Sequence, residues 1–199
     1  MADAPQLALY FAPGSSSMAP HIVLHELGAA FEPRPVSFHR HETRTPEFLA
    51  LNPAGKVPVL LIDGRPLTEV AAILYWLARR FPEGGLWPEG GLEADAQALA
   101  WMSFLASTVH PARRQGVEAA RAAFATAERR LGPGDWIFGG CSVVDVFLFR
   151  LYWRFRTSLG AETAAERPKL EALYARMMAR PAVQRTIAVE SAIGYELPA

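Results

Sequence analysis

Cysteine is almost missing: Cys141 stands alone among 199 residues. A lone thiol excludes an internal disulfide framework and fits a reducing compartment. Excess charge of either sign is also missing, since twenty Lys and Arg balance twenty Asp and Glu. No net field therefore draws the chain to nucleic acid or an anionic membrane surface. No apolar run approaches the roughly 20 residues that span a bilayer. Met1-Ala2-Asp3-Ala4-Pro5 lacks the basic stretch and apolar run of a secretory signal. The expectation is a soluble, cytoplasmic protein with no nucleic-acid or membrane partner.

Metal-site spacing is absent too. His21, His25, His39, His41 and His110 have no partnering cysteines, and His21 and His25, four residues apart, lack a third ligand. There is no phosphate-binding loop, no G-x-G-x-x-G and no G-x-S-x-G elbow. Neither repeats nor low-complexity tracts occur.

What the chain does contain is Asn52-Pro53-Ala54-Gly55-Lys56-Val57-Pro58-Val59-Leu60-Leu61-Ile62, a turn-rich loop running into an apolar strand. Pro58 stands at the strand mouth, where it is tolerated if its missing N–H is not needed or if the Val57-Pro58 bond is cis. A cis bond would turn the Val57 N–H and C=O outward as a short peptide-binding edge. Thr68-Glu69-Val70 then places a carboxylate at a helix start. Together these features point to a site for an extended, peptide-like ligand.

The two halves have different periodicities. Before residue 82 the order is strand, helix, strand, then a hairpin and a helix, a small sheet with helices laid on it. Pro82 to Gly91 is rich in turn residues and reads as a boundary, giving domains at 1–81 and 93–199 with 82–92 as linker. Beyond it, helical spacing predicts helices over 93–110, 113–131, 143–158, 167–179 and 181–190. Ser142-Val143-Val144-Asp145 has the form of a capping box. The helix that follows is apolar nearly all round and is expected at the centre of its half.

Three groups carry candidate chemistry. Ser15, Ser16 and Ser17 follow Pro13-Gly14 at a helix start, where free N–H groups and the dipole favour an anion such as a thiolate. One of them can equally be a plain N-cap. Glu69 is either a solvated cap or a receptor for a ligand ammonium, with the Val70 N–H reaching that ligand's carboxylate. Ser103, Ser107, His110 and Arg114 fall on one helical face, although Pro111 predicts a kink or an end near His110. His110 itself suits a helix end through the dipole. Cys141 reads as a packing residue rather than a nucleophile.

These motifs resemble the cytosolic glutathione S-transferases, and among them the bacterial beta-type branch. The resemblance runs through Leu9 to His21, Asn52 to Leu60, Leu67 to Ile73, Ser142 to Asp145 and Arg180-Pro181-Ala182-Val183-Gln184. It implies a thioredoxin-like α/β N-terminal domain followed by an all-α C-terminal domain. It further implies a cis Val57-Pro58 bond, Val57 paired with the cysteinyl part of glutathione, and Glu69 with the Val70 N–H on the γ-glutamyl end. Lys56 matches a position near the glycyl carboxylate. Ser16 stands where beta-type members carry cysteine, so it implies a thiolate-stabilising hydroxyl in place of mixed-disulfide chemistry. His110 matches the beta-type histidine near the thiol, while Val70 replaces a common serine and Ser103 a common asparagine.

The implied activity is transfer of glutathione, as co-substrate and without a metal, to a small hydrophobic electrophile by a homodimer. The acceptor pocket is expected from residues after Pro13 and from the helix around Trp101 to His110. The alternative is a binding or structural protein that keeps the fold and has lost catalysis.

Overall fold

Two apolar runs, Leu7–Phe11 and Val59–Ile62, form the middle of a sheet whose edge strands are polar and Pro-containing, and residues 4–156 and 165–196 are described in the computed structural model. Strand β1 (Leu7–Phe11) pairs parallel with β2 (Glu32–Pro35) and antiparallel with β3 (Val59–Ile62), which pairs antiparallel with β4 (Arg65–Thr68). The order is therefore β2-β1-β3-β4. The parallel pair is joined through helix α1 (Met18–Glu26), the crossover that a parallel connection requires. Asp63 and Gly64 both take positive φ, 50° and 79°, which suits the tight turn joining β3 and β4.

Helix α2 (Pro46–Leu51) is capped by the Thr45 hydroxyl, which accepts the Phe48 N–H, and helix α3 (Val70–Arg80) follows β4. Ala8, Ala12, Val36, Phe48, Val57, Val59 and Leu61 form one hydrophobic cluster, with Tyr10, Phe38 and Leu51 packed on it.

The helical part begins with α4 (Gly91–Phe104). A π-helical stretch, Leu105–Val109, then leads into the short turn α5 (His110–Ala112). The sequence predicts one helix over 93–110 that kinks or ends near His110. It does not end there: the chain stays helical through Pro111 and stops at Gly116, whose φ is 114°. Proline has no N–H for the Ser107 carbonyl and its ring presses on that carbonyl, and a widened π turn just before it relieves the clash. Helix α6 (Val117–Arg130) consequently starts four residues later than its periodicity indicates.

Helix α7 (Val143–Phe155) is the buried centre that its composition predicts, with every residue but Trp153 and Arg154 inaccessible. Of its expected extension to 158, residues 157 and 158 lie outside the described residues. Helices α8 (Pro168–Met178) and α9 (Pro181–Ile193) complete the chain.

Contacts group the chain into two units. One comprises the residues up to Leu77 together with those from Pro181 onward, and the other is Ala78–Arg180. Helix α9, which helical periodicity assigns to the second half, packs on α1 in the first unit. His25 Nδ1 meets the Thr186 hydroxyl at 2.8 Å, and His21 Nδ1 meets Glu190 Oε1 at 2.8 Å with both side chains inaccessible. No local signature in the sequence announces contacts of such separation.

Candidate functional site

The loop before Pro58 is fixed by its own side chains. Asn52 Nδ2 donates to the Lys56 carbonyl at 2.8 Å, and Asn52 Oδ1 accepts the Ala54 N–H at 3.1 Å. This is the local bonding that makes Asn a turn former. Gly55 takes φ +61°, and a Cβ there would lie 2.6 Å from Arg44 Nη1 and 2.9 Å from the Thr43 carbonyl. Glycine is required at this position for both reasons. The Val57-Pro58 bond is cis, as the resemblance implies. Val57 and Pro58 are buried, and Lys56 is exposed.

The three serines separate into different roles. Ser17 is the N-cap residue of α1, yet its hydroxyl makes no cap bond. It turns back to the end of β1, donating to the Ala12 carbonyl and accepting the Ala12 N–H, both at 3.2 Å. The Ser15 and Ser17 oxygens lie 2.6 Å apart. With the Ser17 proton directed to Ala12, Ser15 is the donor in that pair. Ser15 Oγ also accepts the Ser17 N–H at 3.2 Å. These two hydroxyls are thus committed to closing the loop. Ser16 differs, donating to the Val57 carbonyl at 3.3 Å, a long contact for an O–H···O bond. Tyr10, also near the end of β1, has its oxygen bonded by Arg34 Nη1 at 2.9 Å.

Glu69 is exposed and takes φ +68°. A non-glycine residue in the left-handed region carries strain of about 1–2 kcal/mol, and such residues cluster at binding sites. Its carbonyl accepts the Ile73 N–H at 3.0 Å, so Glu69 caps α3 through its backbone. The Val70 N–H is one of the first-turn donors that no carbonyl of the helix can reach. Val70 is itself buried.

Glu190 is a residue bracing the candidate site that sequence reasoning misses. It is wholly buried; Oε2 accepts the Gly14 N–H at 2.7 Å while Oε1 faces His21. Gly14 begins the serine loop and takes φ 71°. Helix α9 therefore holds the loop that presents Ser16.

The first unit thus gathers Ser16, Lys56, Val57, Pro58, Glu69 and Val70 from the β1–α1 loop, the β3 entry and the start of α3. His110 belongs to the second unit, half-buried, while Ser103, Ser107 and Arg114 are exposed there. The π turn redistributes the polar face expected from 3.6-residue spacing, and Ser107 donates to the Ser103 carbonyl at 2.8 Å. A cavity of about 290 Å³ in the second unit, lined by Trp136, Asp145, Lys169 and Arg176 among others, contains none of the sequence-predicted binding residues. Among the described residues, no group of three His, Cys, Asp or Glu is placed to hold a metal ion.

A four-stranded α/β sheet with a cis proline at a strand entry, a serine loop and a helix-capping glutamate, followed by a helical part, defines a thioredoxin-like domain with a helical partner domain. Comparison with known proteins names the family. The profile for the glutathione S-transferase N-terminal domain matches residues 5–79, and that for the C-terminal domain matches residues 114–188. A glutathione S-transferase of Xanthomonas campestris is 29% identical over 206 residues, covering 92% of this chain and 98% of the relative. The structure of a sphingomonad glutathione S-transferase complexed with glutathione is 33% identical, with a TM-score of 0.82, and covers 92% of this chain and 98% of the other. A bacterial beta class enzyme from Sphingomonas chungbukensis is 33% identical over the same shares, with a TM-score of 0.79. The chain belongs to the glutathione S-transferase family.

Proposed function

We propose that this protein binds glutathione at the Val57 edge and transfers it, as a thiolate, to a small hydrophobic electrophile. The observation that carries the reading is the Ser16 hydroxyl beside the Val57 carbonyl, the only loop serine not committed to the loop itself. In this reading the cysteinyl backbone of glutathione pairs with Val57, so its thiol lies next to Ser16. Glu69 takes the γ-glutamyl ammonium and the Val70 N–H takes the adjacent carboxylate. Lys56 lies on the glycyl side. The sphingomonad relative, solved with glutathione, supports the ligand.

Catalysis consists of keeping the thiol ionised near neutral pH. A hydroxyl donor and the start of α1 both favour the thiolate over the thiol. The sulfur lone pair then attacks the electrophilic carbon; a carbon–sulfur bond forms as the displaced group, or the polarised π pair, takes the electrons. Serine cannot form the mixed disulfide that a cysteine would, so the chemistry is conjugation rather than thiol–disulfide exchange. His110 is assigned to the thiol's surroundings by resemblance, and a second copy of the chain is the expected partner.

The test couples binding to turnover. Calorimetry should detect glutathione binding, and a conjugation assay with an aryl halide should detect product. Ser16→Ala should lower kcat about 100-fold with KM for glutathione changed little, the loss typical of one donor to a developing anion. Binding without turnover in the wild type would establish the alternative, a binding protein on the same fold. No binding at millimolar glutathione rejects the assignment of the site.

A further inference from the structure

The turn that follows β2 makes a set of contacts that the glutathione reading leaves unused. Ser37, Phe38 and His39 converge on one carboxylate, that of Glu196. Phe38 N–H donates to Glu196 Oε2 at 2.6 Å and His39 N–H to the same oxygen at 3.1 Å. The Ser37 hydroxyl donates to Oε1 at 2.8 Å and lies 3.0 Å from Oε2. Consecutive N–H groups aimed at one point form an anion-binding concavity, and the added hydroxyl matches the two-oxygen shape of a carboxylate.

The turn is internally braced. Ser37 Oγ accepts the Arg40 N–H at 3.0 Å, and the Ser37 N–H donates to Glu42 Oε2 at 2.7 Å. The His39 N–H first, then the Ser37 hydroxyl, holds the Glu196 carboxyl below the usual carboxylate range. Glu42 opposes a second anion nearby, while Arg40 favours one; the donors prevail with both in place.

The occupant comes from far along the chain. Beyond α9, Gly194 takes φ 102° and the chain turns there to bring Glu196 to the turn. Nothing about the turn requires its carboxylate to be tethered. Within the turn, Phe38 packs on the hydrophobic cluster that contains Val57 of the candidate site.

We propose that the Ser37–His39 turn is a carboxylate-binding site, filled in the free chain by Glu196 and opened to the glycyl carboxylate of glutathione when that side chain withdraws. The link to glutathione rests on the function proposed above; the carboxylate site itself does not. Glu196 then acts as an internal competitor. A site available only part of the time binds its ligand more weakly by the fraction of time it is open.

The test uses Glu196→Ala, which removes a part-buried surface carboxylate and leaves the core intact. In the variant, sodium acetate should shift the Phe38 and His39 amide resonances saturably, and sodium chloride should not. The wild type should need at least about fivefold more acetate for the same shift, since its site is already occupied. Equal responses in the two proteins, or none in either, overturn the carboxylate site. Glutathione should bind the variant about fivefold tighter than the wild type, while its glycyl ethyl ester binds both alike. No gain with glutathione, or the same gain with the ester, overturns the competition. Failure of either protein to bind glutathione rejects the proposed function, and the acetate titration still decides the turn.

Discussion

Glu69 is the residue where backbone and ligand chemistry oppose each other. Its φ of +68° costs energy that glycine would avoid, while the role proposed for it, pairing with the γ-glutamyl ammonium, calls for its carboxylate. The two effects separate experimentally. Glu69→Gly should stabilise the fold by up to about 1 kcal/mol in denaturant unfolding, by relieving the left-handed strain. The same change should raise the glutathione KM at least about tenfold, the cost of one charge-assisted contact. A variant that is both less stable and unchanged in KM would remove Glu69 from the site. This residue was legible in the sequence because it lies close to Val57-Pro58 and opens a helix. Glu190 was not, because a buried acid on a distant helix has no local signature; only its contacts to Gly14 and His21 reveal it.

At the level of elements, the capping box of α7 bears the most weight. Ser142 Oγ and Ser142 N–H donate to Asp145 Oδ2 at 2.6 and 2.9 Å, and the Ile137 N–H donates to Oδ1 at 3.0 Å. Burial pushes the Asp145 carboxyl up, against the pull of these donors, led by the Ser142 hydroxyl. Asp145→Ala removes the acceptor and strands three donors, the two of Ser142 buried and that of Ile137 partly so. A loss of about 3 kcal/mol is expected in chemical denaturation, mostly from unpaired groups. Asp145→Asn, which keeps one acceptor oxygen, should lose less. The box was readable because its two residues are three apart. The π turn before Pro111 was not: spacing reports a helix, and proline reports an interruption, but neither says that a widened turn can absorb it.

Over the whole molecule, the first unit is closed by α9, and His25 makes that closure sensitive to acid. Burial, then His21 and Arg185, lower the His25 pKa from 6.5 to about 4. An unfolded chain therefore takes up this proton below about pH 6.5 while the folded chain resists it until about pH 4. The stability His25 contributes is present above pH 6.5 and is lost as pH falls through that interval. The full shift corresponds to about 3 kcal/mol, and partial exposure with solvent screening reduces it to on the order of 1–2 kcal/mol. Unfolding free energies at pH 7 and pH 4 should differ by that much less in His25→Gln than in the wild type. A variant with the same pH dependence would place the acid sensitivity elsewhere.

The division of the first unit between the two ends of the chain also sets an order on its synthesis. Residues Ala78–Arg180 form a contiguous unit, so they can pack as soon as they clear the ribosome. The serine loop has to wait, because Gly14 cannot meet its buried partner until position 190 has been translated. The serine loop is thus completed only after the helices between it and α9 have been made, and the growing chain carries it unbraced until α9 emerges.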